Sequence, residues 1–188
     1  MTPQQKQSAL AALRDTYKAC QACSICPMAG RTVLWDGEPT APLVIVGEAP
    51  GRREHELGRP FVGPAGEVLQ AMLERAGLRR GIDVYITNTV KGWPLISSDG
   101  RRKGRTPTPQ EAAHCARLIL DEELRIIQPK AILAMGAVAA QHLLKTKLSI
   151  GKIRGVWGEY LGFPVIATYH PAYVLYLSGR ARDRKSVV

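Results

Sequence analysis

Three groups of residues in this sequence have side chains suited to chemistry. The first is the cysteines, Cys20, Cys23, Cys26 and Cys115. Three of them recur at every third position in CQACSICPMAG, a stretch that ends in Gly and reads as a loop. The N-terminal stretch MTPQQKQSALAALRDTYKAC has no apolar core of the secretory type, so a cytoplasmic location is expected. Thiols in that compartment are metal ligands or buried side chains rather than disulfides. The second group is Glu48, Asn88 and His170, a carboxylate, a carboxamide and an imidazole, each at the end of a short apolar run. The third is a set of cations, Lys91, Arg101, Arg102, Lys103 and Arg105, in the long polar stretch VKGWPLISSDGRRKGRTPTP. The 188 residues carry 26 Lys and Arg against 16 Asp and Glu, a formal charge of +10. That excess favours a polyanionic partner, nucleic acid before an anionic membrane surface. The longest apolar runs are too short to span a bilayer.

The elements that must position these groups can be read from periodicity. Residues Pro3 to Ala19 repeat apolar side chains at helical spacing through Leu10, Leu13 and Tyr17. APLVIVG, DVYITN, KAILAM and PVIATY are short apolar runs of the kind that form strands buried on both faces. Between them lie helices over Ala65 to Ala76, from Thr108 to about Gln128, and from about Ala137 to Leu144. Thr108 and Glu111 have the spacing of a capping box. Alternating strands and helices predict an α/β fold, a three-layer αβα sandwich around a central four-stranded parallel sheet. The whole chain, 1–188, is expected to be a single domain, with residues 1–40 packed onto it. In such sheets the ligand site lies beyond the carboxyl ends of the strands, where Glu48, Asn88 and His170 fall. By residue type alone, Glu48 also suits a solvated loop, Asn88 a cap or turn, and His170-Pro171 a turn before a helix.

Four segments carry a more specific signal: Gly47-Glu48-Ala49-Pro50-Gly51, the stretch GRPFVGPAG from Gly58 to Gly66, Ile86-Thr87-Asn88, and His170-Pro171-Ala172-Tyr173-Val174-Leu175. In order and in strand context, over roughly Cys20 to Leu177, they resemble the family 4 uracil-DNA glycosylases, the iron–sulfur members of the uracil-DNA glycosylase superfamily. The resemblance implies a monofunctional enzyme of base-excision repair that hydrolyses the bond between uracil and deoxyribose after the base has left the stack. It implies Glu48 and His170 as catalytic groups, with Gly47, Ala49, Pro50, Gly51, Phe61 and Asn88 around the base. Phe61 would stack on the uracil and Asn88 would read its edge, since an amide both donates and accepts. Tyr173, Val174 and Leu175 would enter the minor groove, and Lys91, Arg101, Arg102, Lys103 and Arg105 would neutralise phosphates. The expected partner is uracil-containing DNA, single- or double-stranded, bound by a monomer.

Two departures from the family pattern stand out. The usual third cluster cysteine follows the second strand, and that place is taken here by Gly92. Cys26 is the spare thiol, and Cys20-x2-Cys23-x2-Cys26-Pro27 is similar to the opening of ferredoxin-type cluster runs. The expected cofactor is therefore a structural [4Fe–4S] cluster on Cys20, Cys23, Cys26 and Cys115, with zinc on the same thiolates as the alternative by spacing. The second departure is the long basic loop from Leu95 to Thr106. It resembles the loop of a branch that traps uracil-DNA covalently through a histidine, yet no His lies between Lys91 and Pro109. Two other functions fit the same residues: a module that binds uracil-DNA with little turnover, and a glycosylase of broader deaminated-base range.

Overall fold

The computed structural model describes residues 1–98 and 101–177, apart from the side chains of residues 27, 97, 98, 101 and 102. The chain opens with α1 (Pro3–Tyr17), capped by Thr2 and Gln5, and α2 (Ile25–Ala29). It continues through β1 (Leu43–Gly47), α3 (Arg52–Leu57), α4 (Pro64–Arg75) and β2 (Val84–Asn88). Next come the strands β3 (Leu95–Ser98) and β4 (Arg101–Gly104), then α5 (Pro109–Cys115), a π-helical segment (Ala116–Leu120) and α6 (Asp121–Ile127). The last named elements are β5 (Ala131–Met135), α7 (Ala137–Leu143), α8 (Ile150–Ile153), β6 (Trp157–Tyr160) and β7 (Phe163–Thr168). Residues 171–177 are helical. Among the described residues no helix is long and apolar enough to cross a membrane.

The four apolar runs form the parallel strands β2, β1, β5 and β7, as their composition predicts. The sheet has five strands rather than four. Its order is β2-β1-β5-β7-β6, and β6 pairs antiparallel with β7. The fifth strand is WGEY, an edge strand with a largely exposed face, so it lacks the apolar run that marks a buried strand. Its turn is also unmarked: Leu161 and Gly162 both have positive φ, 53° and 84°, the geometry of a tight hairpin that usually recruits Asn-Gly. The polar loop after β2 folds back as the β3–β4 hairpin.

Strand side chains alternate between two apolar layers. Val44, Val46, Tyr85, Ile132, Ala134, Val165 and Ala167 pack with Leu10 of α1, Ile119, Leu124 and Ile127 of the α5–α6 stretch, and Leu143 of α7. Ile45, Val84, Ile86 and Met135 pack with Leu69 and Leu73 of α4. The N-terminal helix is tied down by Lys6, whose Nζ donates to the Ile127 carbonyl at 2.6 Å. Gly47 of β1 lies beside Asn88 of β2, and Met135 of β5 beside Thr168 of β7. The strand ends are therefore level, and the residues that follow them share one edge. The chain passes from β1 outward to β2 and then crosses back to β5 on the other side of β1, so the order reverses between β1 and β5, the switch point at which α/β sheets open a crevice.

Lys91 does not face solvent. Its side chain is fully buried, with Nζ 2.9 Å from Glu123 Oε1 and donating to Thr87 Oγ1. A phosphate contact by Lys91 is thus ruled out, and the residue instead joins β2 to α6 through the core. Removing one member of such a pair leaves the other buried and uncompensated, at a cost of about 3–5 kcal/mol. Lys91→Met is expected to lose stability of that order in a denaturant titration, and Lys91→Met/Glu123→Leu to recover most of it. A double variant as unstable as the single one would show that the charge pair is not the source.

Candidate active site

The crevice at the strand ends begins with a close approach that only glycine permits. A Cβ at Gly47 would collide with Asn88 Oδ1 and would stand 2.6 and 2.7 Å from the ring atoms Cζ and Cε2 of Phe61. The carboxamide and the aromatic ring thus meet over the end of β1. The Phe61 ring in turn stacks on the His170 imidazole, with centroids 5.5 Å apart and planes 26° from parallel. Asn88 is 2% exposed, so its carboxamide stands in the wall of the crevice with almost no contact with bulk water.

Phe61 sits in the left-handed region, at φ 51°, where a non-glycine residue needs outside support. Two charged side chains provide it. Arg80 donates from Nη1 to the Phe61 carbonyl at 2.7 Å and from Nη2 to the Pro60 carbonyl at 2.6 Å, and its Nε pairs with Asp36 at 2.9 Å. Glu54 Oε1 accepts from the Val62 and Gly63 amides at 3.0 and 2.7 Å, while its Oε2 accepts from Gly51 N–H at 3.2 Å. One carboxylate therefore couples the Gly47–Gly51 loop to the Phe61 loop. Gly66 of α4 completes the fit, because a Cβ there would run into the Phe61 backbone.

Neither Glu54 nor Arg80 stands out in the sequence. Glu54 has one usable signal, an acid three residues after the glycine that precedes α3. Arg80 has none, since its partners are backbone carbonyls about twenty positions away.

His170 Nδ1 accepts from the Ala172 backbone N–H at 3.2 Å. That bond leaves the proton of the neutral ring on Nε2, which becomes a donor. Burial lowers the His170 pKa below its ordinary value, and the nearby Glu54 carboxylate opposes the shift. Gly136 lies against the same ring, with a Cβ there only 3.1 Å from His170 Cβ. Glu48 follows β1 directly; its carbonyl accepts from Val90 N–H at 3.0 Å. Its side chain is half-buried, and burial raises the carboxyl pKa. Ala49, Pro50 and Gly51 line the turn between Glu48 and α3.

The DNA-facing candidates divide. Tyr173, Val174 and Leu175 are exposed on the helix over residues 171–177, which excludes a core role for them. Lys103 is exposed on β4, whereas Arg105 forms a two-pronged pair with Glu111 at 2.6 and 2.7 Å and so braces the N-terminus of α5. Arg101 and Arg102 belong to β4 by backbone, and their side chains lie outside the described residues.

The four thiols are all free, with Cys26 and Cys115 buried and Cys20 and Cys23 half-buried. They lie within electrostatic reach of one another. Burial first, then the Cys115, Cys20 and Cys23 thiols, push the Cys26 pKa up, and burial raises Cys115 to about 11. The Lys91 backbone N–H also points at Cys115 Sγ, at 3.3 Å. Gly92 packs against one of these thiols. A Cβ at that position would stand 2.8 Å from Cys26 Sγ, so the sulfur of Cys26 fills the space into which a side chain at position 92 would project. Among the described residues no three His, Cys, Asp or Glu are grouped to hold a metal ion. Four thiols that feel one another's charge are a donor set whose chemistry fits an iron–sulfur cluster and a tetrahedral zinc alike.

A family model described as the uracil DNA glycosylase superfamily matches residues 34–187. A type-4 uracil-DNA glycosylase of Thermotoga maritima is 39% identical over 176 residues, covering 93% of this chain and 86% of the relative. Proteins of the same name from Pyrobaculum aerophilum and Archaeoglobus fulgidus are 37% and 38% identical, covering 87% and 84% of this chain and 83% and 79% of the relatives.

The Glu54 carboxylate should be felt at His170. In Glu54→Gln the charge is lost and an amide N–H2 replaces the oxygen that accepts from Gly51. The His170 titration, followed by NMR of the ring protons, is expected to move to lower pH than in the parent protein. An unchanged His170 titration would show that Glu54 exerts no field there.

Proposed function

Because the chain belongs to the uracil DNA glycosylase superfamily, we propose that it is a monofunctional uracil-DNA glycosylase of base-excision repair, cleaving the N-glycosidic bond of uracil in DNA. The observation that carries this reading is the meeting of the Asn88 carboxamide and the Phe61 ring over Gly47, with the His170 imidazole stacked on that ring. The substrate base leaves the duplex stack to reach such a crevice. Phe61 offers its face, and Asn88 pairs with a carbonyl and the adjacent ring N–H of uracil. Cytosine presents an amine in place of that carbonyl, and the mismatch leaves buried polar groups unpaired at about 1–3 kcal/mol.

As the bond from N1 to C1′ breaks, negative charge grows on the uracil and positive charge on the sugar. His170, neutral and protonated on Nε2, donates to uracil O2. The ionised Glu48 faces the sugar, where it stabilises the cation and orients the attacking water. Water adds its hydroxyl to C1′, its remaining proton ends on the released base, and an abasic site remains. Lys91 is buried and paired with Glu123, which supports water rather than this amine as the nucleophile. Val174 and Leu175 would fill the space left by the base, and Lys103 would meet phosphate. On this reading the protein is one domain, acting as a monomer on cytoplasmic DNA.

Cys20, Cys23, Cys26 and Cys115 would hold a [4Fe–4S] cluster whose role is to tie the N-terminal arm to α5. Its support is the Cys26 sulfur standing over Gly92.

Two experiments test these assignments. Uracil release from a deoxyuridine oligonucleotide is expected to fall about 10²–10³-fold in His170→Ala, the usual loss of one donor aimed at a developing anion. With burial raising the Glu48 pKa above 4.5, kcat/KM should decline as the pH drops through that titration, and Glu48→Gln should lose this limb as well as rate. Parent-like release in both variants would refute the site. Separately, Cys26→Ala should lose iron and visible thiolate-to-iron absorbance, and Cys26→Ala/Gly92→Cys should regain both. Full iron content in Cys26→Ala would remove Cys26 from the ligand set.

A further inference from the structure

Thr89 follows Asn88 directly and is fully buried. Its hydroxyl donates to the Gly47 carbonyl at 2.9 Å. Its backbone N–H donates to the same oxygen at 2.9 Å, and the Val90 N–H donates to the Glu48 carbonyl at 3.0 Å. A peptide unit is planar, so holding its oxygen holds the whole plane. The planes on both sides of the Glu48 Cα are therefore fixed, and with them the direction in which the Glu48 side chain leaves the backbone. The plane before Glu48 is held twice, once by a backbone donor and once by a side chain. That side chain is β-branched and has few rotamers, so its donor keeps one place.

We propose that Thr89 is a positioning residue for the reaction, aiming the Glu48 carboxylate through the Gly47 carbonyl. This inference rests on the glycosylase reading above. A carbonyl oxygen has two lone pairs, and the two Thr89 donors take both, so the Gly47–Glu48 plane cannot tilt without breaking a buried hydrogen bond. Tilt matters at this point because the residue before Glu48 is a glycine. The missing Cβ that lets Asn88 and Phe61 meet over the end of β1 also leaves the widest backbone freedom just ahead of the carboxylate. The Thr89 hydroxyl takes that freedom away. The groups that hold the base have supports of their own: Asn88 ends a paired strand, and Arg80 and Glu54 grip the Phe61 loop. Thr89 therefore acts on the group that faces the sugar, and its contribution belongs to bond cleavage rather than to binding.

Single-turnover uracil release from a deoxyuridine oligonucleotide, followed over a range of enzyme concentrations, separates the cleavage rate from binding. Thr89→Val keeps the shape of the side chain and loses the donor. It is expected to slow cleavage about tenfold, within the loss of up to about 10²-fold that ~1 Å of misplacement can cause, with the half-saturating enzyme concentration unchanged. Thr89→Ser, which keeps the donor, should restore the parent rate. In a Glu48→Ala background Thr89→Val should cost nothing further, because residues that act as a unit are not additive. Should the valine variant fail to fold, Thr89→Ala makes the same comparison in both backgrounds, with the same expected results. An unchanged rate in Thr89→Val, a change confined to binding, no restoration by serine, or a full loss that persists without Glu48 would each overturn the positioning role and leave the glycosylase reading standing. Parent protein that releases no uracil would overturn the glycosylase reading, and the positioning role with it.

Discussion

The site depends on holding four backbone residues in a shape they would not keep alone. Phe61 adopts φ 51°, and a non-glycine residue in that region costs about 1–3 kcal/mol. Against this stand two Arg80 bonds to carbonyls and two Glu54 bonds to amides, each between a charged group and the backbone. Hydrogen bonds to charged groups contribute about 1.5–3 kcal/mol each, so four of them outweigh the strain. The clamp also has a direction. The cation takes the oxygens on one flank and the anion takes the hydrogens on the other, which fixes the ring against Gly47 and His170 instead of merely immobilising the loop.

Below that loop, the sheet supplies the level edge on which the groups meet. Registers of Gly47 with Asn88 and Met135 with Thr168 set the strand ends side by side. The glycines at 47, 66 and 136 then allow side chains or backbone to approach where any Cβ would intervene. Lys91 and Glu123 join the strand bearing Asn88 to α6, and the Lys91 N–H reaches Cys115. The thiol cluster and the crevice are thus braced by the same short stretch after β2.

How legible this was in the sequence depended on whether a partner lay in a pattern. The four parallel strands were legible because a strand covered on both faces must be apolar throughout, and their ends then marked Glu48, Asn88 and His170. The edge strand WGEY was not, since half of it faces solvent. Glu54 and Arg80 were nearly invisible, because their partners are backbone atoms that any residue type would supply. Lys91 was misread for a related reason: it belongs to a stretch rich in cations, and nothing local tells a buried lysine from a solvated one when its counter-charge lies 32 positions away. The packing of Cys26 against Gly92 was not legible, because the two lie 66 positions apart.

The π-helical segment Ala116–Leu120 begins immediately after Cys115 and leads directly into α6. Its wider turn inserts a phase offset between the two halves of an otherwise continuous helix. The half that carries a thiol toward the N-terminal arm and the half that carries Glu123 toward Lys91 can therefore be aimed independently. Excising one residue from this segment to restore an ordinary α-helix would rotate the downstream half by about 100°. Glu123 would swing off its partner while Cys115 kept its aim, so the segment acts as a fixed angular adapter between two otherwise incompatible facings.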